Sequence, residues 1–209
     1  MCAHAPRLEP FGSRAKPTAA TWVIMSKKTL RQQLLNSRDM LDIKSRKSAS
    51  IIISQSVVTL LTGPNLKIGS YLASGSEVDL EFLHDTINAR NHTLYVPKIR
   101  SATEMDLVEL PSPQALIKGK FGISTSSSKN SIQPNSLDYI LMPCVGFDLK
   151  GNRLGMGGGY YDRFLEGTRS GPPVRIGVAF DTQQAPDLLP DSWDQSFDWI
   201  VTETKIIRP

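Results

Sequence analysis

Between residues 138 and 165 the chain reads DYILMPCVGFDLKGNRLGMGGGYYDRFL, and no other stretch restricts its fold as much. The run LDYILMP, 137 to 143, has the length and apolar density of a buried strand. It leads into a loop where Gly155, Gly157, Gly158 and Gly159 fill four of five positions. Glycine loses more conformational freedom on folding than any other residue, so a run this dense implies that something approaches the backbone closely. A helix from about Tyr160 to Glu166 would turn free N–H groups and a positive dipole end toward that loop, the elements of an anion site. Arg153 precedes the glycines as a partner for phosphate, and Asp162 follows them as a cation ligand or a helix cap. The bland alternative is a tight strand-to-helix turn with no ligand. The two familiar phosphate motifs fail here: a P-loop needs Lys and Ser or Thr where Tyr160 and Tyr161 stand, and a Rossmann fingerprint counted from Gly155 needs glycine at Tyr160.

The rest of the chain alternates helix and strand signals. Leu30, Leu34 and Leu41 fall within about 40° of one another on a helix starting at Lys27, with Lys27, Arg31 and Arg38 as a basic ridge beside them. An Ile- and Val-rich helix is expected over 48–61, ended by Gly63-Pro64. KIGSYLA (67–73) reads as a strand, and Ser76 with Asp79 resembles a capping box for a helix through Leu80, Leu83 and Ile87. Further strands are expected at 93–99, 105–110, 174–180 and 197–203, and the Ser-, Asn- and Lys-rich segment from Gly119 to Ser136 reads as loop. This order predicts one α/β domain, a three-layer α/β/α open sandwich with a largely parallel sheet.

Composition narrows the function class. With 209 residues, 40% hydrophobic and 21% charged, the chain suits a single folded domain of about 70% buried surface. No apolar run approaches about 18 residues, which excludes a membrane-spanning helix. The net charge is +4, but half of the excess comes from Arg7, Arg14 and Lys16 against Glu9. Residues 1–25 show no amphipathic period and read as a disordered or artefactual extension before a domain at 26–209. An organellar transit peptide and a start at Met25 are the other readings of that segment. The remaining charge is too dilute for a nucleic-acid footprint. Cys2 and Cys144, far apart and outside any metal-ligand spacing, suggest free thiols in a reducing, cytoplasmic compartment.

RLGMGGGYYDRFL preceded by LDYILMPCVGFDLKGN resembles the signature of the 5-formyltetrahydrofolate cyclo-ligase family, the 5,10-methenyltetrahydrofolate synthetases. KKTLR, YLASGSEVD, VPK and PDSWDQSFDWIVTE follow the family's order, so the resemblance spans about residues 26–204. It implies an open α/β/α sandwich that uses ATP and Mg²⁺ to convert 5-formyltetrahydrofolate, possibly polyglutamylated in the cell, to 5,10-methenyltetrahydrofolate. The implied partners are the folate and ATP, with no nucleic acid or membrane, and the implied state is a monomer.

The resemblance also assigns roles. Lys27, Lys28 and Arg31, then Arg153, Leu154, Gly155, Met156, Gly157, Gly158, Gly159, Tyr160 and Tyr161, match nucleotide contacts. Arg31, Leu72, Glu77 and the stretch Met156 to Tyr160 match folate contacts, and Arg153 and Tyr160 carry the catalytic assignment. Asp162 and Asp194 match the Mg²⁺ positions. Each has a plainer reading: a solvated basic face for Lys27 and Arg31, a macrodipole partner for Glu77, a buried pair for the two tyrosines, and loop or helix caps for the aspartates. Arg153→Ala is expected to cost turnover and leave folding intact. Two departures stand out. Gly158 replaces a lysine common in the family, whose charge Lys27, Arg153 or Lys120 would have to supply, and Ser124-Thr125-Ser126 follows FGI. The competing functions are a non-catalytic nucleotide- or folate-binding relative and an RNA-binding protein, the latter without aromatic residues interleaved in a basic patch.

Overall fold

A computed structural model describes residues 26–209; residues 1–25, with Cys2 and His4 and the expected extension, lie outside the described residues. Helix α1 (Lys27–Asp39) starts where the pattern predicts, with Ser26 Oγ accepting from Thr29 N–H as N-cap. Leu30 and Leu34 are buried as expected. Arg38, which periodicity places in the basic ridge beside the apolar face, is buried as well. Leu41 falls beyond the helix end. Helix α2 (Ile43–Leu60) begins five residues before the expected Ser48, because Asp42 caps it through Ser45 N–H and Oγ.

An eight-stranded sheet organises the chain, in the order β12 (Ile206–Ile207), β11 (Trp199–Val201), β10 (Val174–Val178), β7 (Tyr139–Pro143), β1 (Lys67–Gly69), β2 (Thr93–Ile99), β3 (Met105–Glu109) and β6 (Ser131–Ile132), while β8 (Gly146–Phe147) and β9 (Arg153–Leu154) form a separate antiparallel pair. Its middle is parallel: β2, β1, β7, β10 and β11 all run one way. β3 and β12 pair antiparallel at the two flanks, and β6 adds to β3. The expected loop over 119–136 therefore contains structure. β6 extends the main sheet, and β5 (Ser124–Ser126) pairs with β4 (Leu116–Lys118) in a separate hairpin. Such strands are held by backbone bonds at an edge, which serine and asparagine side chains do not advertise.

Helix α3 (Glu81–Ala89) begins later than the proposed capping box at Ser76. Ser76 Oγ instead accepts from Arg38 Nε at 2.9 Å and donates to Asp39 Oδ1, while Asp79 Oδ1 receives the Glu81 N–H. The period-2 alternation of the strands splits the core. Ile53, Val57, Leu83 and Ile87 of α2 and α3 pack on Ile68, Leu141, Ile176 and Val201 of the sheet. The opposite face, with Ile140, Met142 and Ile200, is covered by Phe147, Leu165 and Phe197 together with the short helix α4 (Tyr160–Phe164). That second layer is thus mostly irregular chain. Gly177 on β10 lets it lie close, since a Cβ there would meet the Phe197 ring at 2.5 Å.

The strand order reverses at β1. From β1 the chain moves outward to β2 and β3, then returns to β7 on the other side and continues to β10 and β11. In open parallel sheets such a switch point leaves a crevice beyond the carboxyl ends of the strands.

Candidate active site

That crevice is a cavity of about 960 Å³. Its walls include the residues just after β1 (Tyr71, Leu72, Ser74, Glu77), the ends of β2 and β7, the start of α1, the whole glycine loop, and residues 191–195. All but one of the residues assigned from the sequence line it. The exception is Lys28, which is exposed on α1 and does not line the cavity. Lys120, considered as a substitute for the missing loop lysine, donates to Arg100 O and lines a smaller adjoining cavity instead.

What approaches the glycine loop is the protein's own arginines. Arg31 Nε donates to Gly155 O at 2.7 Å, and its guanidinium lies 3.8 Å from where a Gly157 side chain would begin. Arg153 Nη1 would sit 3.2 Å from a Cβ at Gly155. Arg163 donates to Gly158 O and, from Nε, to Thr103 O, both at 2.6 Å, and a Cβ at Gly159 would be 2.6 Å from its Nη1. Gly157 and Gly159 also take φ values of 96° and 64°, a region other residues avoid. A methyl group at Gly159 would displace Arg163 and one at Gly155 would crowd Arg153, whereas at Gly157 it is the positive φ that favours glycine.

The acidic residues are interleaved with these cations. Arg153, whose side chain is 5% exposed, donates from Nη2 to Asp162 Oδ1 at 2.5 Å and from Nε to Gln195 O at 3.0 Å. Asp162 Oδ1 also receives the Gln195 N–H. Lys27 Nζ reaches Asp191 Oδ2 at 2.6 Å and Asp194 Oδ2 at 3.2 Å. Partial burial would lower the Lys27 pKa, but the bonds and charges of Asp191 and Asp194 outweigh it and hold the ammonium above its ordinary value. On the β1 side, burial raises the Glu77 carboxyl above its usual range, offset in part by the Ser74 N–H and by Arg38.

Several neighbours serve as scaffold. Tyr71 is buried and donates to Val78 O at 2.8 Å. Burial pushes Tyr161 well above its ordinary pKa and Cys144 to about 12, so neither is a ready proton donor or nucleophile near neutral pH. Of the tyrosine pair, Tyr161 packs against the core while Tyr160 reaches Ser101 O at 3.3 Å and carries Arg163 over its ring. His84 lies on α3 with its Nε2 2.8 Å from Ser70 Oγ, behind the cavity.

Three functional candidates had no separate place in the sequence reading: Asp191, Arg163 and Arg169. Asp191 had a signal, since PDSWD places two aspartates three apart. The arginines had none, because their partners are distant backbone carbonyls.

The model of the 5-formyltetrahydrofolate cyclo-ligase family matches residues 23–203. The chain belongs to this family. Among curated members, the 5-formyltetrahydrofolate cyclo-ligase of Haemophilus influenzae is 30% identical over 170 residues, covering 79% of this chain and 91% of that one. Two solved structures agree in fold. The 5,10-methenyltetrahydrofolate synthetase of Aquifex aeolicus superposes with a TM-score of 0.76 at 33% identity, covering 88% of this chain and 93% of its own. That of Mycoplasma pneumoniae gives 0.70 at 31% identity, over 86% and 99%. The cyclo-ligase fold thus accounts for the mixed, mostly parallel sheet and its switch-point cavity.

The family's metal assignment can be tested on the donor set. Among the described residues, no three His, Cys, Asp or Glu side chains converge as a preformed metal site. Asp162 and Asp194 do line the same cavity, and their bonds fall on Oδ1 of the first and Oδ2 of the second. One oxygen of each is thus left over. Two monodentate carboxylates fit Mg²⁺ arriving on a nucleotide, whose phosphates and waters supply the other ligands.

Proposed function

We propose that this chain cyclises 5-formyltetrahydrofolate to 5,10-methenyltetrahydrofolate at the expense of ATP. The observation that carries the reading is that one cavity joins two unlike walls: an arginine-flanked glycine loop facing carboxylates, and an apolar slope at Leu72 and Tyr71 bearing the half-buried Glu77. The first suits a triphosphate and the second a pterin, whose N–H edge needs an acceptor.

In the reaction the formyl oxygen attacks the γ-phosphorus, the bond to the β-phosphate oxygen breaks, and ADP leaves with that electron pair. N10 then attacks the activated formyl carbon and loses its proton. Phosphate departs with the former formyl oxygen as the second ring closes. Every step is a displacement that needs positioning and charge neutralisation rather than a protein nucleophile. Arg31 and Arg153 hold and neutralise the transferring phosphoryl group, Lys27 meets the outer phosphates, and backbone N–H groups of the glycine loop orient them. Asp162 and Asp194 would hold Mg²⁺, which supplies charge neutralisation at the phosphates. Glu77 orients the pterin, and Tyr160 and Met156 border the folate.

The protein is read as a cytosolic monomer acting on mono- or polyglutamylated folate. The buried, free Cys144 accords with a reducing compartment, and among the described residues no helix is long and apolar enough to cross a membrane. Purified protein with ATP, Mg²⁺ and 5-formyltetrahydrofolate should generate the near-ultraviolet absorbance of the methenyl product, strictly dependent on ATP. Absence of that absorbance would leave a non-catalytic binding relative.

A further inference from the structure

Residues 191–195 form a turn whose backbone is held from outside. Arg169 Nη2 donates to Ser192 O at 2.7 Å and to Asp194 O at 3.1 Å. Gln195 Nε2 reaches Trp193 O at 3.3 Å, and Arg153 Nε takes Gln195 O. Asp191 N–H closes the turn on Asp194 Oδ2 at 2.8 Å. Four successive carbonyls are thus fixed by side-chain donors. The side chain at the centre of this turn, Trp193, is nevertheless 66% exposed and lines the cavity. A large aromatic ring left in water on a rigid mount contributes little to folding, and it offers a flat apolar face to whatever enters the cavity.

The neighbours indicate which ligand. Trp193 is flanked in sequence by Ser192 and Asp194, and the same turn carries both carboxylates that grip Lys27. The acceptor wall built by Leu72 and Glu77 belongs to a different element, the segment after β1. The ring therefore lines the side of the cavity assigned to the nucleotide, beside Lys27, with most of its surface open to water. We propose that Trp193 is a stacking platform for the purine base of the nucleotide and sets the affinity for ATP. This rests on the ATP-dependent reading above and adds to it a residue and a contact.

The test separates base from phosphate. Trp193→Ala should raise the KM for ATP roughly tenfold, the order expected when an aromatic platform under a base is removed. kcat and the KM for the folate should stay within about twofold, and Trp193→Phe should restore most of the ATP affinity. Independently of turnover, Mg-ATP should quench the tryptophan fluorescence of the wild-type protein far more than Mg-tripolyphosphate does, and Trp193→Ala should lose that difference. An unchanged KM for ATP in the alanine variant, a rise in folate KM instead, or equal quenching by ATP and tripolyphosphate overturns the proposal. Wild-type turnover is the control: if the wild type is inactive the enzymatic reading fails first, whereas an active wild type with an indifferent Trp193→Ala sinks only the platform.

Discussion

Arg153 and Asp162 make a buried ion pair at the centre of the candidate site, so its removal should be felt in stability before it is felt in catalysis. Their side chains are 5% and 15% exposed, the contact is 2.5 Å, and both also hold the backbone of Gln195. Deleting one partner of such a pair leaves the other charge buried without compensation, at a cost of about 3–5 kcal/mol. Because Asp162 keeps the Gln195 N–H, Arg153→Ala should fall at the lower end, about 3 kcal/mol. The expectation from sequence, that this variant would fold normally, is therefore revised by the burial of its partner. Asp162→Asn should cost about 2 kcal/mol, leaving Arg153 with a neutral amide and the Gln195 carbonyl. The double variant should cost clearly less than both together, with a coupling of about 1–2 kcal/mol. Urea denaturation of the four proteins at constant m-value measures this directly. Additivity within about 0.5 kcal/mol would refute the claim that the two side chains are coupled across a largely buried contact. Turnover should fall roughly 100-fold or more in Arg153→Ala even where it is folded, as expected for a charge placed on a transferring phosphoryl group.

Glu77→Gln should bind folate poorly yet be more stable than the wild type at pH 7. Burial raises the Glu77 carboxyl above its ordinary value, so its favourable contribution is full below the unfolded pKa and is lost as pH rises through the folded one; the advantage of the variant should vanish in melts below about pH 4.5. His84 is the opposite case: burial lowers its pKa from 6.5 to about 4, so its contribution is present above pH 6.5 and lost as pH falls through about 4. That loss should amount to about 3 kcal/mol, and denaturation curves of His84→Gln between pH 7 and 4 should lack this component. Gly177→Ala places a methyl group 2.5 Å from the Phe197 ring and should lower stability by about 1–3 kcal/mol, read as a fall in the urea midpoint without loss of fold by circular dichroism.

How much was readable in the sequence depended on whether a residue's role is local. Tyr139–Pro143, Thr93–Ile99 and the start of α1 were visible because apolar periodicity and a cap are written within a few residues. The glycine loop was equally visible as a place of close approach. The identity of the approaching groups was not, since Arg31 reaches Gly155 across 124 residues and the Arg163 bond to Thr103 spans 60. Arg38 shows the same limit: spacing puts it in the basic ridge at the edge of the apolar face, but its burial follows from a bond to Ser76, 38 residues away, which itself donates to Asp39. Strands β5 and β6 were invisible for a different reason, being short edges whose pairing depends on backbone groups.

The site holds many charged side chains in one cavity by alternating their signs. Lys27, Arg31, Arg153, Glu77, Asp162, Asp191 and Asp194 all line it, and grouping them by sign would impose mutual repulsion at low dielectric. The chain alternates them instead: Lys27 between two aspartates, Arg153 against a third. Two of the three proposed phosphate cations, Lys27 and Arg153, are thus paired with carboxylates, while Arg31 donates to the Gly155 carbonyl; two of those carboxylates are the proposed metal ligands. A triphosphate carrying a divalent ion has the complementary pattern, anionic oxygens beside a cation, so it can take the place of both halves of each pair without leaving a charge stranded. The departure at Gly158 then has a physical reading. A side chain at Gly158 would begin 3.1 Å from the Tyr160 ring, and Arg163 already donates to the Gly158 carbonyl, so a lysine there would add a positive charge beside an existing guanidinium.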